Sequence, residues 1–178
     1  MASLGDRMIR AAKLDRDLYE EVEADTGATG QATLVVVLSS IAAGIGSAGA
    51  GGLKGLLFGA LSALAAWYIW AFLTYFIGTR LLPESQTEAD VGQLLRTTGF
   101  SSSPGLLRIL GILPGFTIIV FLGCAVWMLV AMVIAVRQAL DYQGTGRAIA
   151  VCLIGWVVQV VIIVLVMMFL GIGAEPQL

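Results

Sequence analysis

Apolar residues are distributed along this chain in two different ways. Between Leu4 and Val22 they stand singly, with Leu4, Met8, Ala11, Leu18 and Val22 separated by three, four or seven positions, while Asp6, Asp15, Glu20 and Glu21 fall elsewhere. That spacing predicts an amphipathic helix over residues 1–25. Thr26-Gly27 is expected to break it, and Thr29 to cap the next helix. Beyond Gln31 the apolar residues come in continuous runs, at Gln31–Ala48, Leu53–Ile77, Phe116–Val136 and Ala148–Leu170. A helix rising 1.5 Å per residue crosses a hydrocarbon layer of roughly 30 Å in about 20 residues, so each run predicts a membrane span.

The stretch between the second and third runs is less regular. A polar loop, "GTRLLPESQTEADVGQLLRTTGF", predicts a short helix around Ala89–Thr97. After it comes "SSSPGLLRILGILPG", Ser101–Gly115, which is short, contains Arg108 and is bracketed by Pro104 and Pro114. It fits a re-entrant arm, an interfacial helix or a fifth crossing. The basic residues favour the crossing. With a cytoplasmic N-terminus and five crossings, eight basic residues lie inside (Arg7, Arg10, Lys13, Arg16, Arg80, Arg96, Arg137, Arg147) and only Lys54 outside. Without that crossing the division becomes seven against three. The expected fold is therefore an all-α, polytopic helix bundle of five spans, the third short. Its parts are a cytoplasmic N-terminal amphipathic helix at 1–27, the bundle at 28–172 and a short tail at 173–178.

Composition reinforces the class. The chain has 178 residues, 58% hydrophobic and only 12% charged, with a mean hydropathy of +0.94. Soluble domains carry about 25% charged residues. The first twelve residues show no signal-peptide pattern, so the spans themselves are expected to insert the chain. Histidine is absent, which removes Ser-His-Asp and Cys-His catalysis and histidine ligation of zinc, haem or chlorophyll. Cys124 and Cys152 both sit in apolar runs and behave as small hydrophobes. No carboxylate falls at mid-span, so a proton- or sodium-coupled transporter would lack its usual site. Gly44 to Gly49 match the letters of a dinucleotide loop, but at the end of a membrane helix. No enzyme activity, cofactor, metal or nucleic-acid partner is expected.

Several segments together carry a family likeness: the acidic N-terminal helix, "LVVVLSSIAAGIG", "YFIGTRLL", "GFSSSPGLLRILGILPG" and "AVRQALDYQGTGRAIAVCLIGW". Over about residues 14–170 the chain resembles bacterial members of the Yip1-domain family. The resemblance implies a five-span bundle with a cytoplasmic N-terminus in a bacterial inner membrane. Eukaryotic relatives are non-enzymatic factors of vesicle traffic that contact small GTPases, with a signature containing Asp-Leu-Tyr-Gly-Pro. Here Asp17-Leu18-Tyr19 is followed by Glu20-Glu21, so GTPase binding does not carry over.

Four groups of residues are candidates for function. Arg108 is a charge within an apolar segment, where a named partner is expected. Glu84, Glu88 or Asp90 at the cytoplasmic rim, or Gln159, could serve, unless the side chain snorkels to an interface. Trp67, Tyr68, Trp70 and Trp127 stand at mid-span rather than in interfacial belts. They predict bundle packing or contact with a hydrophobic ligand, quinone or pigment, without axial ligation. The four-residue series Gly44, Ala48, Gly52 and Gly55, Gly59, Ala63 suit close helix packing, either between the first two spans or against another subunit. Asp17, Tyr19, Glu20, Glu21 and Glu23 are candidate contacts for a protein partner or for the chain's own basic loops, because a net-acidic helix is poorly suited to an anionic leaflet.

The sequence therefore predicts a non-catalytic scaffold or accessory subunit in contact with lipids and other integral membrane proteins. Its proposed setting extends to a respiratory or photosynthetic complex. The alternative is a small permease or lipid-handling protein that uses Arg108 as an anion or head-group contact.

Overall fold

The computed structural model describes residues 2–47 and 52–169, and all regular structure among them is helical. α1 (Leu4–Ala12) and α2 (Arg16–Ala24) form the N-terminal region. A 3-10 turn at Thr26–Ala28 leads into α3 (Thr29–Gly46). α4 (Gly52–Phe76) continues as a π-helical turn at Ile77–Leu81. α5 (Val91–Phe100) and a 3-10 segment at Ser103–Ile112 precede α6 (Thr117–Ala139) and α7 (Thr145–Phe169). Four of these helical stretches are long and apolar enough to cross a membrane, beginning at Thr26, Gly52, Thr117 and Thr145. They lie within a few residues of the expected runs. Ala48 and the tail at 173–178 lie outside the described residues.

The N-terminal segment is two helices rather than one. Leu14 adopts a left-handed φ of 62° between them, and Ser3 and Asp15 cap their starts through Asp6 N and Asp17 N. Folding α1 back on α2 brings opposite charges together. Arg10 pairs with Asp15 at 2.7 Å and Glu21 at 2.6 Å, while Arg7 reaches Glu21, Asp25 and Gln31. Arg7 is only 3% exposed, a burial made tolerable by three acceptors. The predicted apolar face is the buried one: Ala11, Leu18 and Val22 are fully enclosed, and Leu4 and Met8 pack beside them. Asp25 caps the 3-10 turn by accepting from Gly27 N, and α3 follows from Ala28 without a side-chain cap; Thr29, its first residue, instead donates to Thr26 O.

A second correction concerns residues 89–112. The predicted loop helix is α5, and it is buried, with Leu94, Thr97, Thr98 and Phe100 fully enclosed. α5 and the 3-10 segment after it run alongside α3 from end to end. A Cβ on Gly99 would lie 2.8 Å from Ala32 Cβ, Gly105 abuts Ser39, and a Cβ on Gly111 would lie 2.9 Å from Gly46 O. Ten α-helical residues and ten 3-10 residues, at rises of about 1.5 and 2.0 Å, together reach roughly 35 Å. The Pro-bracketed piece is thus the second half of a fifth element that traverses the bundle, beginning at Val91. This element is antiparallel to α6, with Gly105 near Met128 and Gly111 near Phe121.

The core lies at the end of the bundle where the N-terminal helices dock. Tyr19, Val35, Leu94, Phe100, Val136, Leu140 and Val151 are all fully enclosed there. Loops clamp this end: Tyr142 directs its hydroxyl at Gly78 O and Leu82 O, and Arg147 donates to Pro83 O and pairs with Glu84 at 3.3 Å. Towards the other end the helices expose apolar side chains such as Phe58, Leu61, Ile118, Leu122 and Phe169. A continuous apolar exterior, with backbone bonds satisfied inside helices, suits hydrocarbon rather than water.

Candidate functional site

The 3-10 geometry determines where Arg108 points. Residues three apart stack on one edge of a 3-10 helix, so Gly105, Arg108 and Gly111 share an edge. The two glycines press that edge against Ser39 and Gly46 of α3 and Met128 and Phe121 of α6. No Cβ would fit at Gly111 without moving Phe121, and Gly46 in turn abuts the carbonyl of Arg108. The arginine side chain is left to emerge between α3 and α6, inside the bundle.

Its partners there are weak. Nη2 lies 3.1 Å from Met128 Sδ, and the guanidinium carbon stands 5.9 Å from the centre of the Phe121 ring. A thioether is a poor acceptor, and a ring face offers about 0.5–2 kcal/mol. Nε is buried with no hydrogen-bond partner among the described residues. Two of the rim acids expected to pair with it are engaged elsewhere: Glu84 bonds Arg147, and Asp90 caps α5 in a reciprocal box with Gln93. Every ion pair among the described residues involves Arg7, Arg10 or Arg147.

Arg108 stands between two cavities. One, of about 220 Å³, is bounded by Ser39, Ser40, Thr98, Ser102, Gln159 and the indoles of Trp67 and Trp70. The other, of about 400 Å³, is bounded by Ser40, Gly44, Ser47, Gly55, Gly59 and Phe121. Ser40, Ala63 and Arg108 line both, so the two flank one cleft between α3 and α4. Gln159, one of the expected partners, thus shares a cavity with the guanidinium. The small-residue series divides: Gly44 receives Leu56 of α4 and holds the two helices together, whereas Gly55 and Gly59 have open space where a Cβ would stand. Gly52, with φ of 55°, starts α4 and is also open.

The tryptophans divide too. Trp67 is buried and donates to Thr98 Oγ1 at 3.2 Å, with Tyr68 edge-on at 5.2 Å. Trp70 directs its N–H at Met132 Sδ and lies against Gly155 of α7. These two wall the cleft. Trp127 stands outside it, half-exposed, and donates to Ala12 O at 2.8 Å.

Among the acidic candidates, Asp17 and Glu20 face outwards, and Glu20 accepts from Gln138 of α6. Tyr19 points into the core, so its ring offers nothing to a partner; burial raises its phenol pKa. Hydrogen bonds from Arg10 and then Arg7 hold the Glu21 carboxyl below its ordinary range, despite partial burial. Glu23 behaves in the opposite way: burial, reinforced by the Asp141 charge, pushes it up to about 7 against the pull of Arg96.

Two residues essential to this arrangement did not figure among the candidates. Arg96 is buried and donates to the carbonyls of Val22 and Glu23, satisfying the end of α2 and fixing α5 to it. Arg7 fixes α1 to the elements after it through the side chains of Glu21, Asp25 and Gln31. The Asp90–Gln93 spacing was a readable helix-start signal that would have placed α5 at Val91.

The described residues contain no cluster of three or more His, Cys, Asp or Glu side chains that could hold a metal. What the cleft can do chemically is bind. It offers one fixed positive charge, several hydroxyls and an amide, inside an apolar wall.

Four long apolar helices, with a fifth helical element packed against α3 and α6, define a polytopic, helical integral membrane protein. The chain belongs to the Yip1 domain family, whose model matches residues 15–168, from the cap of α2 almost to the end of α7. No curated protein and no solved structure matches it.

Proposed function

We propose that this protein is a non-enzymatic, lipid-handling membrane protein that holds the phosphate-bearing head group of an anionic amphiphile at Arg108. The observation that carries this reading is the buried Arg108 Nε, which has no acceptor among the described residues. A charge left unpaired in low dielectric is costly, and a ligand that supplies the missing acceptors recovers that cost on binding. A guanidinium presents a planar fork of donors matched to phosphate. Ser39, Ser40, Ser102 and Gln159 can bond the remaining head-group oxygens.

The protein sits in a bacterial cytoplasmic membrane with its N-terminus and the docking end of the bundle inside. Arg80, Arg96, Arg137 and Arg147 gather at that end with the N-terminal helices, and Lys54 belongs to the opposite one. In that orientation the larger cavity, near Ser47 and Gly55, faces the outer leaflet.

The test is lipid retention. Wild-type protein purified in mild detergent should carry anionic lipid by native mass spectrometry, and Arg108→Gln should carry several-fold less. Equal occupancy in the two would overturn the reading.

A second reading, a scaffold or accessory subunit, is supported by the exposed apolar side chains of α7 from Leu153 to Phe169 and by the open space beside Gly55 and Gly59. Membership of a respiratory or photosynthetic complex would use those faces. Stoichiometric co-purification of another membrane protein, lost on replacing Gly55 and Gly59 by Leu, would support it.

A further inference from the structure

Resting on the head-group reading, we infer that the ligand at Arg108 carries a single negative charge: it is a phosphodiester lipid rather than a phosphomonoester. The linings of both cavities contain one cation and no other charged side chain, from α3, α4, the 3-10 segment, α6 or α7. Cys124 of α6 lies near enough to feel the Arg108 charge. The remaining polar groups are neutral hydroxyls and the Gln159 amide.

Charge complementarity is set by this count. One guanidinium neutralises one negative charge. A second charge on the same phosphate would sit in a largely apolar cleft with only dipoles around it, and removal from water penalises an uncompensated ion heavily. A phosphodiester keeps charge −1 at every physiological pH. A phosphomonoester carries about −1.5 to −2 at pH 7 because its second pKa is about 6. The hydroxyl lining also suits a head group bearing hydroxyls, such as glycerol. The site therefore discriminates by the net charge of the phosphate, with no second cation to reward the dianion.

The experiment uses the full chain in nanodiscs of phosphatidylcholine doped with phosphatidylglycerol or phosphatidic acid, read by native mass spectrometry or thermal shift. At pH 8 phosphatidylglycerol should bind about tenfold more tightly than phosphatidic acid. Between pH 8 and pH 5 the phosphatidic acid affinity should rise towards that value as the lipid becomes a monoanion, while phosphatidylglycerol stays flat. Arg108→Lys, which keeps the charge but loses the fork, should bind more weakly with the same order of preference. Phosphatidic acid binding as tightly as phosphatidylglycerol at pH 8 would overturn the inference and leave the head-group reading intact. Absence of any preference for either anionic lipid over phosphatidylcholine would overturn both. Water-soluble glycerophosphoglycerol serves as the source control. Full competition by it, with no lipid retained, would keep the single charge and transfer the site to a soluble phosphodiester.

Discussion

Replacing Gly46 by Ala should loosen the wall that positions Arg108. Gly46 ends α3 against the 3-10 segment, and a Cβ there would overlap the carbonyl oxygen of Arg108, stand 2.8 Å from its carbonyl carbon and 3.2 Å from Phe121 Cε2. The obstructing atoms are mainly backbone, which cannot step aside as the tip of a side chain can. Overpacking of this kind costs about 1–3 kcal/mol, more when a whole segment must shift. Against it stands the helix preference for Ala over Gly, up to about 1 kcal/mol. The net expectation is a loss of about 1–2 kcal/mol. Gly55→Ala and Gly59→Ala isolate the opposing contribution, because nothing lies within 4 Å of a Cβ at either site. Each should be neutral or stabilising by up to about 1 kcal/mol. The assay is unfolding in a titration of denaturing detergent against a mild one, followed by tryptophan fluorescence, with Trp67 and Trp70 as reporters beside the same cleft. If Gly46→Ala is as stable as Gly55→Ala, the close approach of α3 and the 3-10 segment is wrong, and with it the placement of the guanidinium.

Three further outcomes are expected. Arg7→Leu strips the acceptor-rich pocket of its cation and should cost roughly 2 kcal/mol, given that Glu21 and Asp25 remain about a third exposed; limited proteolysis after Lys13 would then accelerate. Arg96→Met orphans the carbonyls of Val22 and Glu23 and should cost roughly 2–3 kcal/mol, with faster hydrogen exchange in α2 as the readout. Glu23 has a folded pKa of about 7, above its ordinary value, so its ionisation opposes folding at high pH and the penalty disappears as pH falls from about 7 towards 4.5. Glu23→Gln should therefore be more stable than wild type at pH 8 and converge with it near pH 5; a constant difference across that range would contradict the assignment. Asp15, Glu21 and Asp25, held low by Arg10 or Arg7, act in the other direction, and their contribution is lost only in acid below the ordinary carboxylate range.

The long spans were legible because a helix in hydrocarbon must be apolar on every side, which leaves an uninterrupted run in the sequence. α5 was legible as a short helix around Ala89–Thr97 but not as a buried one, because its threonines disguise it. Thr97 and Thr98 return their hydroxyls to Gln93 O and Leu94 O one turn back, so they are buried without leaving a polar group unpaired. Hydropathy counts the hydroxyl and misses the bond. The N-terminal helices show a related limit. Their apolar face could be read from spacing, but the burial of Arg7 depends on Glu21, Asp25 and Gln31 arriving from later elements, and the reversal depends on Leu14 taking a left-handed conformation that its side chain does not favour. Arg108 was visible as an anomaly in an apolar segment. Its lack of an acidic partner was not, because that depends on which helices enclose it.

The bond from Trp127 to Ala12 has a bearing on biogenesis. Its ends are 115 residues apart, and that from Gln138 to Glu20 spans 118. At a synthesis rate of about 5–20 residues per second, α1 and α2 emerge roughly 6 to 23 seconds before α6 exists to receive them. Through that interval α2, whose Leu18, Tyr19 and Val22 are sealed in the finished molecule, has only α1 and, once it is made, α5 to pack against, and the face that meets α6 stays uncovered. The nascent protein thus presents part of its N-terminal helices as a timed, transient surface that the completed one withdraws.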